Sequence, residues 1–520
     1  MESALNDMRQ HTLKRARRSS ITFRTRFLAA GTVLMVSAGV SIAAPVITSI
    51  NSDNLPRSGR VSIAGTGFGT EGQVLVSGMP AWVSTWGPDR IVAYVPEQVP
   101  IGQSSVIVDA EGQQSNPVPV TVTLRQREGR IRWSFEIDQD QIFYRPAVAP
   151  DGTIYIHGRS WEGGGEGRVY ALSPDGALLW INRDTSFGPY VPPAAGPDGA
   201  VYVGSINWLY RISPSGQLDW SFQGATIQSG AAVGPDGTVY AGFELDPEIV
   251  ALDPADGSLI WSNSPGLSAF GTGGTEGILA RSTAGGPIDR FYTWWDALAA
   301  FTLDGDHLFT TSLGNIYSHE VGVGSDGTLY APANFESELA AASPFDGNVY
   351  WLASSPWLAG TSDVEVGPDD TLYFVSDGRW IDAFDPHTRS SIWRHRIEFW
   401  LDRPTLSPDG TTLLTSGGGW CDSSGCRISF VKAFDTTDGQ ELWNLDLNDV
   451  WDPEYRNVTG DRARISADGS VAYFVGYIAG SFDAGDERSL LWAIDLDDPP
   501  MFSDGLESGD TSAWTQTTSP

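Results

Sequence analysis

The chain has 520 residues, more than one folding unit needs, and only two cysteines, so a small disulfide-stapled scaffold is excluded. Asp and Glu number 64 against 32 Lys and Arg, a formal charge of -32 that repels nucleic acid and anionic lipid surfaces; no nucleic-acid partner is expected. The 59 Gly, 32 Pro and 20 Trp suit many short strands and tight turns, while lysine occurs only at Lys14 and Lys432, leaving almost no candidate for a Schiff-base amine.

Residues 1–43 read as a secretory signal. Basic residues from Arg9 to Arg26 precede an uncharged apolar run from Phe27 to Ala43, and small Ser41 and Ala43 stand before a cut at Ala44. A single anchoring helix is the competing reading, but about 17 apolar residues is short for a spanning segment. Arg17 and Arg18 suggest twin-arginine export, and no cysteine follows the apolar run, so a lipid anchor has no thiol to use. No other window is apolar enough to cross a membrane. The chain is expected in the periplasm or outside the cell, with no membrane span after cleavage.

Residues 44–124 alternate in short runs punctuated by glycine: VITSI, RVSIAGTGFG, QVLVSG, IVAYVPEQVPIGQSSVIV and PVPVTVT. That spacing predicts a small β-sandwich. Gly67, Gly69 and Gly72 also satisfy the dinucleotide pattern G-x-G-x-x-G, but QVLVSG follows them as a strand, so they read as turn glycines. Through PVITSI, IAGTGFG, YVPEQVPIG and SNPVPVTV the segment resembles an IPT/TIG domain, an Ig-like fold; the resemblance implies a spacer or interaction module.

From 129 to 498 the chain repeats. One marker is a hairpin, APDGTIY at 149 and GPDGAVY at 196 being two examples, with acidic residues Asp151, Asp198, Asp236, Asp326, Asp369, Asp409 and Asp468 and a degenerate copy at Glu276. Asp-Gly between apolar runs predicts a two-residue hairpin with both central residues at positive φ. The second marker is a turn ending in a large aromatic: Trp180, Trp220, Trp261, Phe309, Trp351, Trp393 and Trp443. The eighth repeat lacks this ending, and GRIRW at 129 supplies it with Trp133. Each repeat is then four antiparallel strands, and the first segment completes the last sheet. Such closure removes the open edges of the ring, and a monomeric eight-bladed β-propeller is predicted. The A-x-D-x-x-(T/D)-G-x-x-x-W pattern resembles the tryptophan-docking motif of PQQ-like, quinoprotein-type propeller repeats. The eight aromatics are expected to pack between blades.

In such blades both Asp-Gly turns lie at one end, and the long loops and blade connectors at the other. Trp161, Trp294, Trp295, Trp357, Trp400, Trp420 and Trp451 fall outside the repeat and are assigned to that loop-bearing rim as candidate binding residues. The bland alternative is that they cap core beneath long loops. The stretch from Arg281 to Ala300 is placed on this rim as an insertion, and Arg394, His395, Arg396 and Arg403 accompany it. Cys421 and Cys426, in an exported chain, are expected to form a local disulfide. Residues 499–520 are too poor in apolar residues to fold alone, and resemble a short tail found on exported bacterial proteins.

Tests for catalysis come out against it. The adjacent cysteine pair of many quinoprotein dehydrogenases is missing, and neither G-x-S-x-G nor H-E-x-x-H occurs. No metal site and no cofactor is expected, and His157, His307, His319 and His387 read as structural or solvated. The function expected is a non-catalytic scaffold that binds a protein or polysaccharide; a quinoprotein-like dehydrogenase or a carbohydrate-active hydrolase is the alternative.

Overall fold

The computed structural model describes residues 44–125, 130–138, 145–159, 167–185, 191–205, 207–224, 229–243, 248–264, 275–276, 278–294, 297–313, 321–333, 338–354, 358, 362–420, 427–447, 458–460, 463–478 and 488–497. The expected signal at 1–43 and tail at 499–520 lie outside them, as do Cys421 and Cys426 with their expected disulfide. No helix among the described residues is long and apolar enough to cross a membrane.

Two sheets form the N-terminal sandwich. One orders Val46–Ile50, Arg60–Thr66, Arg90–Tyr94 and Trp82–Trp86; the other runs Asn54–Pro56, Val118–Thr123, Gly102–Ala110, Gly72–Val76 and Met79–Pro80. Alternate residues such as Val61, Ile63, Ile91, Val106 and Val108 point inward to one apolar core, as the period-two pattern requires. Gly67 and Gly69 take φ of 75° and 65° as turn glycines, whereas Gly72, expected with them in the turn, opens the strand Gly72–Val76 and pairs with Ala110.

Among the described residues eight blade sheets follow, six of four strands and two of five. Blade 1 orders Ala147–Val148, Ile154–Arg159, Gly167–Leu172 and Leu178–Asn182. Blade 8 takes Val471–Ile478 and Arg488–Asp495 from the end of the chain and Ile131–Asp138 from its beginning, with Trp133 opposite Ala493 and Phe135 opposite Leu491. Arg132 Nη2 meets Asp495 Oδ1 at 2.7 Å across this join. The ring closes by the strand exchange that the repeat count required.

The blades are joined by aromatic docking. Trp180 Nε1 donates to Pro214 O (2.8 Å) in the outer turn of blade 2, and a Cβ built on Gly216 of that turn would lie 2.8 Å from the same indole. Trp133 on Pro174, Trp220 on Pro254 and Trp261 on Leu303 repeat the arrangement. Glycine is required there because the turn needs φ of 84° and the ring lies flat against the backbone.

Two expectations are corrected. The inner hairpins are not two-residue turns: Gly152 N donates to Ala149 O (2.9 Å) and Ala149 N to Thr153 O (2.8 Å), and only the glycine takes positive φ. The reason is Pro150, whose ring holds φ near -65° and selects a type I turn followed by a left-handed glycine. In blade 4 the inner hairpin is not at Glu276. Ile278–Ala280 pairs with Arg290–Trp294, so residues 281–289 form the turn, while Thr275–Glu276 pairs in parallel with Ser229–Gly230. That segment therefore belongs to the turn-bearing face and not to the loop-bearing rim; Gly327, in the inner turn of blade 5, sits against Ser282.

Candidate functional site

Of the seven candidate tryptophans, Trp400 is the one whose side chain is described. Trp294 and Trp420 end the strands Arg290–Trp294 and Thr412–Trp420, and only their backbones are described; Trp161, Trp295, Trp357 and Trp451 lie outside the described residues. Trp294, Trp400 and Trp420 have described backbones, and the rim grouping of the seven otherwise falls outside the described residues.

Trp400 lies in the connector from blade 6 to blade 7, where Trp400–Leu401 adds two residues of strand against Gly417 and Gly418 of blade 7. Its side chain is 58% exposed, although it is anchored from below. Leu401 N donates to Gly378 O (2.8 Å), and the ring covers Gly378, where an added Cβ would lie 1.7 Å from Cζ3. Gly378 has φ of 58° in the short turn between Leu372–Ser376 and Trp380–Asp385 of blade 6. The Arg379 guanidinium stands 5.9 Å from the Trp400 ring centroid, close enough for a cation–π contact, and Arg379 O accepts from Ile397 N (2.7 Å).

Beneath this surface lies a polar layer. Arg394 stacks 4.1 Å over Trp380 and places Nε 2.9 Å from Asp382 Oδ1. Ser376 Oγ donates to Asp382 Oδ2 (2.6 Å), and Arg394 Nη2 donates to Ser376 Oγ (3.1 Å). Burial pushes the Asp382 carboxyl up to about 6, against the opposing pull of the Ser376 hydroxyl and Arg394. Arg403 Nη1 approaches the fully buried Asp363 Oδ2 at 3.3 Å. The arrangement is chemically a platform: an exposed indole face beside a guanidinium, with two ion pairs nearby whose carboxylates, Asp382 and Asp363, are buried and whose arginines are partly exposed. The indole suits the C–H face of a sugar or an apolar side chain, and the guanidinium suits a carbonyl or carboxylate.

Sequence reasoning missed Arg379 and Trp380, the two residues that follow Gly378. The signal was available: SDGRW at 376–380 is a tight turn that delivers both side chains to the loop-bearing end of blade 6. Of the histidines singled out, His157 is buried, His307 Nε2 lies 2.8 Å from Thr310 Oγ1, and the His387 backbone N–H donates to Asp385 Oδ1; His319 lies outside the described residues. Among the described residues no group of three His, Cys, Asp or Glu side chains could hold a metal ion.

The sequence model for the outer membrane protein assembly factor BamB matches residues 120–290, and that for the IPT/TIG domain matches residues 45–123. No curated protein matches the chain. Among solved structures, BamB from Moraxella catarrhalis is similar over 69% of this chain and 98% of its own, at 15% identity and a TM-score of 0.47. The C-terminal WD40 domain of Sif2 is similar over 72% of this chain and 99% of its own, at 11% identity and a TM-score of 0.50. The Dos1 propeller covers 70% and 94%, at 11% identity and 0.47. At these identities the likeness is one of fold. The chain thus joins a domain at 45–123 that matches the IPT/TIG model to an eight-bladed β-propeller that matches the PQQ-like repeat model over its first part, to residue 290.

Proposed function

We propose that this protein is an exported, non-catalytic scaffold that captures a protein or polysaccharide on the loop-bearing face of its propeller. The observation that carries the reading is Trp400, more than half exposed yet clamped onto Gly378 with Arg379 alongside. A large apolar side chain held rigid in solvent contributes contact area at little cost in conformational entropy, which is what a binding anchor needs. The partial match to an assembly factor's repeat supports a role in assembling partners rather than in turnover. Export rests on the basic and apolar order of residues 1–43.

The test is a glycan and protein array probed with the full-length chain, its signal removed, followed by Trp400→Ala. The variant is expected to weaken capture of any hit by about tenfold or more while leaving the unfolding midpoint within about 2 °C of wild type. Unchanged capture would remove Trp400 from the site. A large loss of stability would show that the ring serves the core.

A further inference from the structure

We propose that the Ig-like domain is a clasp that locks the closing seam of the propeller, rather than a spacer that displays it. The seam is the place where such a device is needed. Every other outer strand is tied to its blade by a local turn, whereas Ile131–Asp138 reaches blade 8 from the opposite end of the chain. Blade 7's docking tryptophan also meets a substitute here: Arg130 lies 4.7 Å over Trp443, and its Nη1 donates to Asp497 O (2.8 Å).

The Ig-like domain touches both sides of this join. In the strand Arg90–Tyr94, Ile91 and Ala93 point into the sandwich core, and Tyr94 points the other way. Tyr94 is fully buried, not in its own domain but in the propeller cluster of Trp133, Phe135, Tyr170, Leu178 and Tyr473. Its ring stacks on Phe135 of the closing strand (centroids 5.0 Å, 16°) and meets Tyr170 of blade 1 edge-on (6.3 Å, 77°). Three polar contacts repeat the division. Arg60 Nη1 pairs with Glu136 Oε1 of the closing strand at 3.1 Å, with Arg60 almost wholly buried. Ser58 Oγ accepts from Leu178 N of blade 1 (3.0 Å) while donating to Glu97 Oε2 (2.9 Å). Ser84 Oγ lies 3.5 Å from Tyr170 OH. A spacer would show an exposed, polar junction; this one places an aromatic ring between the last blade and the first.

Opening of the seam is read by hydrogen–deuterium exchange of the full chain, comparing peptides from 131–138 and 488–495 with peptides from blade 4 at 298–311. In Tyr94→Ala the seam peptides are expected to exchange roughly tenfold faster or more, with blade 4 unchanged. Faster exchange confined to residues 44–123, an equal rise in all blades, or no change would overturn the proposal. Should Tyr94→Ala fail to fold, Arg60→Gln decides alone: it severs the ion pair from the Ig-like side, and a seam that exchanges as in wild type overturns the clasp.

Discussion

Two buried groups contribute in opposite directions to the acid response of this protein. His157 is 2% exposed, neither ring nitrogen has a hydrogen-bond partner, and burial pushes its pKa down to about 3. The unfolded chain takes up this proton near pH 6.5 and the folded chain does not, so stability is lost as pH falls below 6.5, by about 2 kcal/mol between pH 7 and 5. Asp382 acts in the opposite sense. Its folded carboxyl is raised to about 6, so the folded state protonates first, and this group returns about 1 kcal/mol over the same interval. Urea denaturation at the two pH values is expected to show His157→Leu losing less stability on acidification than wild type, and Asp382→Asn losing more. Equal losses in all three would refute the assignment. Neither effect was legible in the sequence, because His157 follows Tyr155 and Ile156 in an ordinary strand pattern, and burial without a partner arises only in the folded protein.

The blade repeat was legible as an element, and its turn chemistry only partly. A four-residue step from a left-handed turn residue to a large aromatic located the outer strands, with Phe309 in place of tryptophan in blade 4 and Arg389 (φ of 56°) in place of glycine in blade 6, since both are demanded by docking. In six blades the tyrosine after the inner hairpin meets the tryptophan of its own blade at a tilted angle, as in Tyr155 with Trp180 (5.7 Å) and Tyr240 with Trp261 (5.9 Å). These two markers are distant in sequence, so their pairing emerges only when the sheet forms. Blade 4 escaped the pattern because its inner turn spans 281–289 and carries no Asp-Gly. The docking turn separates strain from collision. Gly216→Ala combines φ of 84° with a Cβ 2.8 Å from Trp180, whereas Gly78→Ala meets a φ of 79° with nothing within 4 Å. Gly78→Ala is expected to cost about 1 kcal/mol and Gly216→Ala about 2–4 kcal/mol in chemical denaturation. Equal costs would mean that the indole shifts freely.

For the whole molecule the decisive event is closure between residues 363 positions apart. Bringing such ends together costs about 5 kcal/mol of chain entropy, which only the last strand pairing and the contacts around it recover. The seam is accordingly where loss of one docking ring matters most. Trp133→Ala is expected to cost about 3–5 kcal/mol, and more than Trp220→Ala, whose interface lies between blades joined by short connectors. Thermal unfolding of the two variants checks this, and equal losses would show that the seam is as strong as any other junction. Repeat number, blade architecture and closure by Trp133 were determined by sequence alone, because each rests on local turn geometry and on the periodic burial of apolar residues. Only the tertiary structure decided that the Ig-like domain docks through Tyr94, that Trp400 covers Gly378, and that His157 lacks a partner. Those are contacts between segments far apart in the chain, and a residue's own neighbours in sequence carry no information about what the closed ring brings against it.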